Sequence, residues 1–142
     1  MAFPIQAPEL DAWATGFPTT LLHLGVTLVL LVAGAAIYAF LTPHREIQLI
    51  REGNAAAALS FGGVLVGLAL PLGFALAAST SLLEIALWGV TTVVLQLALF
   101  WLTDLVLVGL PQRIREGEVA AAALLVAAKL AVAVLLAAAV TV

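Results

Sequence analysis

Four long apolar runs constrain this chain more than any other feature of its sequence. They extend over about residues 19–41, 55–78, 82–109 and 119–142. Each run exceeds the ~20 residues that an α-helix needs to cross the ~30 Å hydrocarbon core of a bilayer. A soluble helical bundle is a poor alternative, because no run has a polar face wide enough to meet water. The runs therefore predict an all-α integral membrane protein with four transmembrane helices, whose main partner is the lipid bilayer.

Composition excludes several other classes of protein. Hydrophobic residues make up 65% of the chain and charged residues only 9%, whereas soluble domains are about one quarter charged. The net charge is −3 and the chain has no long basic tract, so we expect no binding to nucleic acid. The chain has no cysteine, which excludes disulfides, thiol catalysis and cysteine-ligated zinc.

A short sequence that occurs twice indicates an internal repeat. Ile50-Arg51-Glu52-Gly53 returns 64 residues later as Ile114-Arg115-Glu116-Gly117, and Ala-rich sequence follows each copy. This pattern predicts two tandem αα-hairpin repeats, residues 19–78 and 79–142, in parallel topology with a pseudo-two-fold axis along the membrane normal. Independent use of the same short loop sequence is the alternative interpretation.

The positions of the basic residues predict the orientation of the chain. Loops 42–53 and 110–117 hold five basic residues: His44, Arg45, Arg51, Arg113 and Arg115. The N-terminal segment 1–18 and the link at 79–81 carry no Lys or Arg. Because short Lys- and Arg-rich loops stay in the cytoplasm, we expect both loops inside, as docking sites for a cytoplasmic partner, and both termini outside. We expect segment 1–18 to be irregular or interfacial.

The first loop carries signals for a short helix followed by a sharp turn. Thr42 and Pro43 suit the start of a helix, and Ile47 and Ile50 are expected to share its apolar face on the inner membrane surface.

The residues after this short helix predict how the next spanning helix begins. Gly53 is expected to end the short helix in a left-handed turn, and Asn54 to cap the helix that follows. Glu118 occupies the equivalent position in the second copy.

Residues of the first loop and the second span, with two of the third, form a pattern that is typical of a known family. They are Thr42, Pro43, His44, Glu46, Gln48, Leu49, Ile50, Asn54, Ala56, Ala57, Ser60, Gly63, Gly67, Pro71 and Leu72, together with Trp88 and Gly89. On these residues the chain resembles the YjfL-type inner-membrane proteins of domain-of-unknown-function family 350, over nearly its whole length and most specifically in its first half. The resemblance implies a bacterial inner-membrane protein with four spanning helices from two repeats, and it implies no reaction and no substrate.

Polar residues inside the predicted spans are candidates for an intramembrane path. Lys129 falls near the middle of the fourth span, where a charged group is costly. It can line a conduction path, extend to the inner surface and pair with Asp104, or lose its charge. Asp104 can equally pair with a basic residue of the second loop. Thr92, Gln96 and Thr103 form a stripe on the third span, which either bonds to other helices or lines the same path.

Two residues near the outer surface form a second candidate site. His23 and Glu84 are expected at similar depth, where a histidine beside a carboxylate could relay protons; solvation at the interface is the ordinary interpretation. With two histidines in the chain and no paired metal-ligand spacing, we expect no metal site and no cofactor.

The second span carries small residues at four-residue spacing. Gly63 and Gly67 allow another helix to approach closely, and Pro71 removes a hydrogen bond to the carbonyl of Gly67. Tight packing is the ordinary interpretation of this pattern, and a hinge is the functional one.

These features favour a non-enzymatic function. No catalytic constellation is visible, so we expect an oligomeric scaffold or accessory subunit, as a homo-oligomer or in complex with another membrane protein. The alternative is a small oligomeric channel or transporter for ions or protons that uses the intramembrane polar residues.

Overall fold

The computed structural model describes residues 7–42 and 45–141, so Pro43 and His44 lie outside the described residues. Within these ranges the chain is helical. Four helices are long and apolar enough to cross a membrane, and two short helices connect them in pairs. The elements are α1 (Pro8–Leu41), α2 (Glu46–Arg51), α3 (Ala55–Ala78), α4 (Leu82–Val106), α5 (Leu110–Arg115) and α6 (Val119–Val140).

The first helix begins earlier than the sequence predicted. It starts at Pro8, whose fixed φ suits the first helical position, so most of segment 1–18 is helical rather than irregular. Its 34 residues span about 51 Å at 1.5 Å per residue, which exceeds the hydrocarbon thickness. Only Gly34, Ala35 and Tyr38 are buried, so α1 contacts the bundle mainly near its C-terminal end.

Helices α3 and α6 form the most extensive contact of the bundle, and small residues allow this close approach. Ala57 and Ala122 are completely buried between them. A Cβ added at Gly63 would lie 2.6 Å from Cγ2 of Val126 on α6, and one added at Gly67 would lie 2.7 Å from Cζ of Phe100 on α4. Both glycines therefore occupy positions where a larger residue would collide with a neighbouring helix.

The chain leaves both short helices through turns of the same geometry. Gly53 and Gly117 have φ of +88° and +85°, a left-handed conformation that favours glycine. The N–H of each glycine donates to the carbonyl three residues before it, and the N–H of the next residue donates to the carbonyl five residues before it. The matching donor–acceptor pairs are Gly53–Ile50 and Asn54–Leu49 in the first copy, and Gly117–Ile114 and Glu118–Arg113 in the second.

The prediction for the start of α2 was wrong. Thr42 ends α1 instead, because its backbone N–H and its hydroxyl both donate to the carbonyl of Tyr38. Helix α2 begins at Glu46, after Arg45 in the left-handed region.

The predicted apolar face of α2 was also wrong, because its rotation turns other residues toward the bundle. Ile50 packs against the core with Leu49, whereas Ile47 is 45% exposed. The buried side of the helix also includes Glu46, at the i, i+3, i+4 spacing of a helix face.

The two residues that precede α3 and α6 differ in their bonding. As predicted, Asn54 caps α3 by accepting a hydrogen bond from Ala57 N–H at 3.0 Å. Its amide also donates to the carbonyls of Ile114 and Arg115, at 3.1 and 3.2 Å. In the described part of the chain Glu118 makes no side-chain cap, so the two junctions are not equivalent in their bonding.

Candidate functional site

Lys129 lies at the centre of a buried polar cluster. Its side chain is completely buried, and Nζ donates a 2.8 Å hydrogen bond to the hydroxyl of Tyr38. The same Nζ lies 3.0 Å from Oδ1 and 3.3 Å from Oδ2 of Asp104. It also lies 4.8 Å from the ring centroid of Tyr38 and 5.4 Å from that of Phe100, within cation–π distance. The charge of Lys129 is therefore met by a carboxylate, a hydroxyl and two aromatic rings.

The buried face of α6 explains why Lys129 points inward. It falls in a stripe of buried residues that repeats every four positions, with Leu125 before it and Ala133 and Ala137 after it. Residues at this spacing share one face of an α-helix. The alanines of this stripe leave room for a long side chain to extend within the bundle. Helix α6 thus presents Lys129 to α1 and α4, not to lipid.

A second carboxyl group reaches the cluster from the loop. Glu46 at the start of α2 is only 6% exposed, and its Oε1 accepts a 3.1 Å hydrogen bond from the hydroxyl of Ser60 on α3. Burial raises the pKa of the Glu46 carboxyl, and the positive charge of Lys129 and the Ser60 hydrogen bond partly offset that effect. Tyr38 is close enough to interact with Glu46 as well. The cluster thus joins α1, α2, α3, α4 and α6.

Two spaces adjoin the cluster at the loop end of the bundle. A cavity of about 10 Å³ is lined by Glu46, Tyr38, Asp104 and Arg115, among others, which is about the room for one water molecule. A larger cleft of about 550 Å³ lies beside α1 and α4. Its lining is mostly apolar but includes Tyr38 and Asp104, so the polar cluster forms part of its wall.

Comparison with known proteins shows the family. The model of the family described as Domain of Unknown Function (DUF350) matches residues 12–140. The chain belongs to this family. The UPF0719 inner membrane protein YjfL of Escherichia coli (strain K12) is 36% identical over 98 residues, which cover 69% of this chain and 73% of that protein. The protein of the same name from Escherichia coli O157:H7 gives the same figures. No solved structure gives a significant match.

The family and the four apolar helices together identify this DUF350 protein as a multi-pass inner-membrane protein. The resemblance seen in the sequence is therefore confirmed. Glu46 and Ser60, which carry part of that resemblance, form the hydrogen-bonded pair on the loop side of the buried cluster.

The polar residues of α4 in this DUF350 protein differ in how they are satisfied. The hydroxyl of Thr92 donates to the carbonyl of Gly89 at 2.9 Å, and that of Thr103 to the carbonyl of Leu99 at 2.8 Å. Gln96 is completely buried, and neither polar atom of its amide has a hydrogen-bond partner among the described residues. A buried amide of this kind is costly unless another polar group reaches it.

The carboxylate of Glu84 bonds to residues just before α4. Oε2 of Glu84 accepts from the backbone N–H of Thr80 at 2.7 Å and from its hydroxyl at 3.1 Å, and Ser81 caps α4. No hydrogen bond or ion pair joins Glu84 to His23 within the described residues. The part of the chain that the structure describes also holds no group of three His, Cys, Asp or Glu residues that could bind a metal.

The basic loop residues lie on the surface of the molecule. Arg45, Arg51, Arg113 and Arg115 are all exposed. Arg113 pairs with Glu118 across the second turn, with Nε at 2.6 Å from Oε2. This contact lowers the pKa of the Glu118 carboxyl and raises that of the Arg113 guanidinium. The fifth basic loop residue, His44, lies outside the described residues.

Sequence reasoning found part of the cluster and missed the rest. Lys129 and Asp104 were candidates, and the structure brings them together as one of the interpretations expected. Glu46, Ser60 and Phe100 were not site candidates. The signal for Glu46 was its spacing with two apolar residues of α2, which indicates one buried helix face.

Proposed function

We propose that this protein is a non-enzymatic scaffold or accessory subunit of an inner-membrane complex, working as an oligomer or with another membrane protein. The observation that supports it best is the closed interior around Lys129. Gln96 and Phe100, on neighbouring turns of α4, are also completely buried. In this proposal Lys129 holds α6 to α1 and α4 through Tyr38 and Asp104.

The proposed architecture is two tandem helical hairpins in parallel topology. The matching turns at Gly53 and Gly117 support it, because equal backbone geometry 64 residues apart is what a duplicated hairpin predicts. In this arrangement a pseudo-two-fold axis runs along the membrane normal. Helices α2 and α5 both face the cytoplasm and the termini face outward, because the basic residues of the loops favour the inner side.

The proposed docking surface is the cytoplasmic face of α2 and α5. Arg45 directly precedes α2, Arg51 is its last residue, and Arg113 and Arg115 lie on α5; all four are exposed. The exposed guanidinium groups of Arg45 and Arg51 can pair with carboxylates of a partner in bidentate geometry. We therefore expect a cytoplasmic partner with an acidic binding surface.

Affinity capture from native membranes tests this proposal. Substituting both Arg45→Ala and Arg51→Ala is expected to abolish co-purification of the partner, with unchanged amounts of the protein in the membrane. Gln48→Ala is the matched control, because Gln48 is an exposed polar residue of the same helix. If the doubly substituted protein captures the same set of proteins as the wild type, the proposal that this surface binds a partner is contradicted.

A second candidate function is conduction of protons or other ions. The polar cluster favours it, because titratable groups run from Glu46 on α2 through Tyr38 to Lys129 within the span. Proteoliposomes containing the wild type would then show ion flux above that of empty liposomes, and Lys129→Leu and Gln96→Ala would reduce it. Flux that neither substitution changes would remove this candidate.

A further inference from the structure

The cleft of about 550 Å³ beside α1 and α4 lies at the loop ends of the spanning helices. Thr42 in its wall directly follows the last residue of α1, and Asp104 lies two residues before the end of α4. Pro111 of α5 also lines the cleft. Because α4 is proposed to span the membrane, its loop end is expected near the level at which lipid headgroups meet the acyl chains. The volume is within the range of ordinary ligand sites.

The wall of the cleft combines a long apolar surface with one carboxylate. Its apolar part is formed by Leu41, Leu97, Ala98, Trp101, Leu105 and Pro111. Trp101 is 66% exposed, and tryptophan is enriched at the membrane interface. The side chain of Asp104 is 25% exposed. Such a wall fits an amphiphile whose polar end sits at Asp104 and whose tail lies along α4.

The polar groups of the wall determine what this polar end must be. The hydroxyl of Thr42 donates to Tyr38 O, and the Tyr38 hydroxyl already accepts from Lys129. The carboxylate of Asp104 has about four lone-pair positions, and Lys129 supplies a single donor group to it. The cleft therefore offers an acceptor that a second hydrogen-bond donor can use. An ammonium N–H can use this acceptor, because hydrogen bonds between an ammonium and a carboxylate are among the strongest in proteins.

We propose that this cleft binds a phospholipid with a primary ammonium headgroup, phosphatidylethanolamine. The ammonium donates to Asp104 beside Trp101, whose ring attracts a cation, and an acyl chain packs along Leu97 and Leu105. This site goes beyond the scaffold function and does not depend on it. The site is therefore expected to discriminate between lipids that have the same acyl chains but different headgroups.

The number of ammonium hydrogens distinguishes this lipid from the alternatives. The quaternary ammonium of phosphatidylcholine has the same charge but cannot donate a hydrogen bond. We therefore expect phosphatidylethanolamine to be retained in preference to phosphatidylcholine.

Native mass spectrometry of the detergent-purified wild type gives the first test. The protein is mixed with equal amounts of phosphatidylethanolamine and its mono-, di- and trimethylated forms, all with the same acyl chains. Retention is expected to persist while an N–H group remains and to fall to roughly one tenth for the trimethylated lipid, as loss of one charge-assisted hydrogen bond predicts. Equal retention of all four lipids would overturn the proposal. Displacement of the lipid by free ethanolamine would overturn it too, because the site would then bind a soluble amine.

Two substitutions locate the site on the protein. Ala98→Trp fills the cleft without touching the polar cluster, and is expected to abolish the preference for phosphatidylethanolamine while thermal stability stays near that of the wild type. Asp104→Asn is expected to equalise phosphatidylethanolamine and phosphatidylcholine. Should Asp104→Asn fail to fold, Ala98→Trp still decides the outcome. A preference that survives Ala98→Trp would show that the lipid binds elsewhere.

A second apolar groove provides the matched control. It is lined by residues of α3, among them Val66, Ala69 and Phe74, and none of the described residues that line it is charged. Ala69 is exposed, so Ala69→Trp adds the same side chain to another lipid-facing surface. This variant is expected to keep the headgroup preference of the wild type. Loss of the preference in Ala69→Trp as well would overturn the assignment to the α1–α4 cleft.

Discussion

At the scale of single residues, Lys129 shows how far sequence reasoning reaches. Its depth in the fourth run and that of Asp104 in the third follow from residue counts, so a pair between them was one expected interpretation. The contacts with Tyr38 and Phe100 depend on the rotation of α1 and α4 about their own axes. No residue count gives that rotation, because each spanning helix is apolar on all sides.

The pair between Lys129 and Asp104 predicts a non-additive pattern of stability. Lys129→Leu and Asp104→Leu should each lower the free energy of unfolding by about 3–5 kcal/mol, because each leaves one charge without its partner in the interior. The double substitution should cost less than the sum of the two, because it removes both charges. Equilibrium unfolding in detergent measures all four proteins of this cycle. Additive losses would show that the two side chains do not stabilise each other.

Glu46 predicts a dependence of stability on pH. Its pKa is raised by burial above the ordinary value of 4.5, so the folded protein holds this proton more tightly than the unfolded chain. Stability from this group is complete below about pH 4.5 and is lost as the pH rises through the raised pKa, with a slope of at most about 1.4 kcal/mol per pH unit. Glu46→Gln cannot ionise and should lose this slope.

Thermal unfolding in detergent between about pH 4 and pH 8 checks this prediction. Glu52→Gln is the matched control, because Glu52 follows the same helix but is exposed, and it should behave as the wild type. If Glu46→Gln keeps the slope of the wild type, the titrating group lies elsewhere.

At the scale of helices and turns, local signals predicted more than tertiary contacts did. The left-handed turn at Gly53 and the cap at Asn54 were predicted and are confirmed, because both depend on residues within a few positions. The start of α2 was predicted wrongly, since Thr42 bonds to the preceding turn of α1. The buried position of Glu46 was missed because it depends on packing against α3, which local sequence does not encode.

The contact between α3 and α6 predicts opposite effects for two neighbouring glycines. Gly63→Ala should lower the free energy of unfolding by about 1–3 kcal/mol, because its Cβ would meet the β-branched Val126. Gly62→Ala should be neutral or stabilise by up to about 1 kcal/mol, because no atom lies within 4 Å of its added Cβ. Denaturant unfolding of both variants checks this. Equal effects would contradict the close approach of these helices.

The two copies of the turn predict unequal costs of substitution. Asn54→Ala should destabilise by about 1–3 kcal/mol, because it removes a helix cap and the hydrogen bonds to Ile114 and Arg115. Glu118→Ala should cost less, because Glu118 caps no N–H group and its ion pair with Arg113 is exposed. Melting temperatures in one detergent compare the two variants. A larger decrease in melting temperature for Glu118→Ala than for Asn54→Ala would contradict the stronger stabilising role given to Asn54.

At the scale of the whole molecule, the sequence predicted the membrane location of the protein better than its function. Four spans follow from the length and hydropathy of the apolar runs alone, and the family confirms an inner-membrane protein. Partners and oligomeric state depend on surfaces that meet other molecules, and lipid-facing and protein-facing helix surfaces are equally apolar. That is why the docking surface and the oligomer stay predictions.

The proposed topology has four helices that cross the membrane and place α2 and α5 together on the cytoplasmic side. Because the chain has no native cysteine, single cysteines at Asp11, Glu52, Thr80 and Glu116 can each be labelled alone with an impermeant maleimide. If both short helices lie in the cytoplasm, intact cells label positions 11 and 80, whereas positions 52 and 116 react only after the inner membrane is opened. Labelling of positions 52 and 116 from opposite sides of the membrane would contradict it.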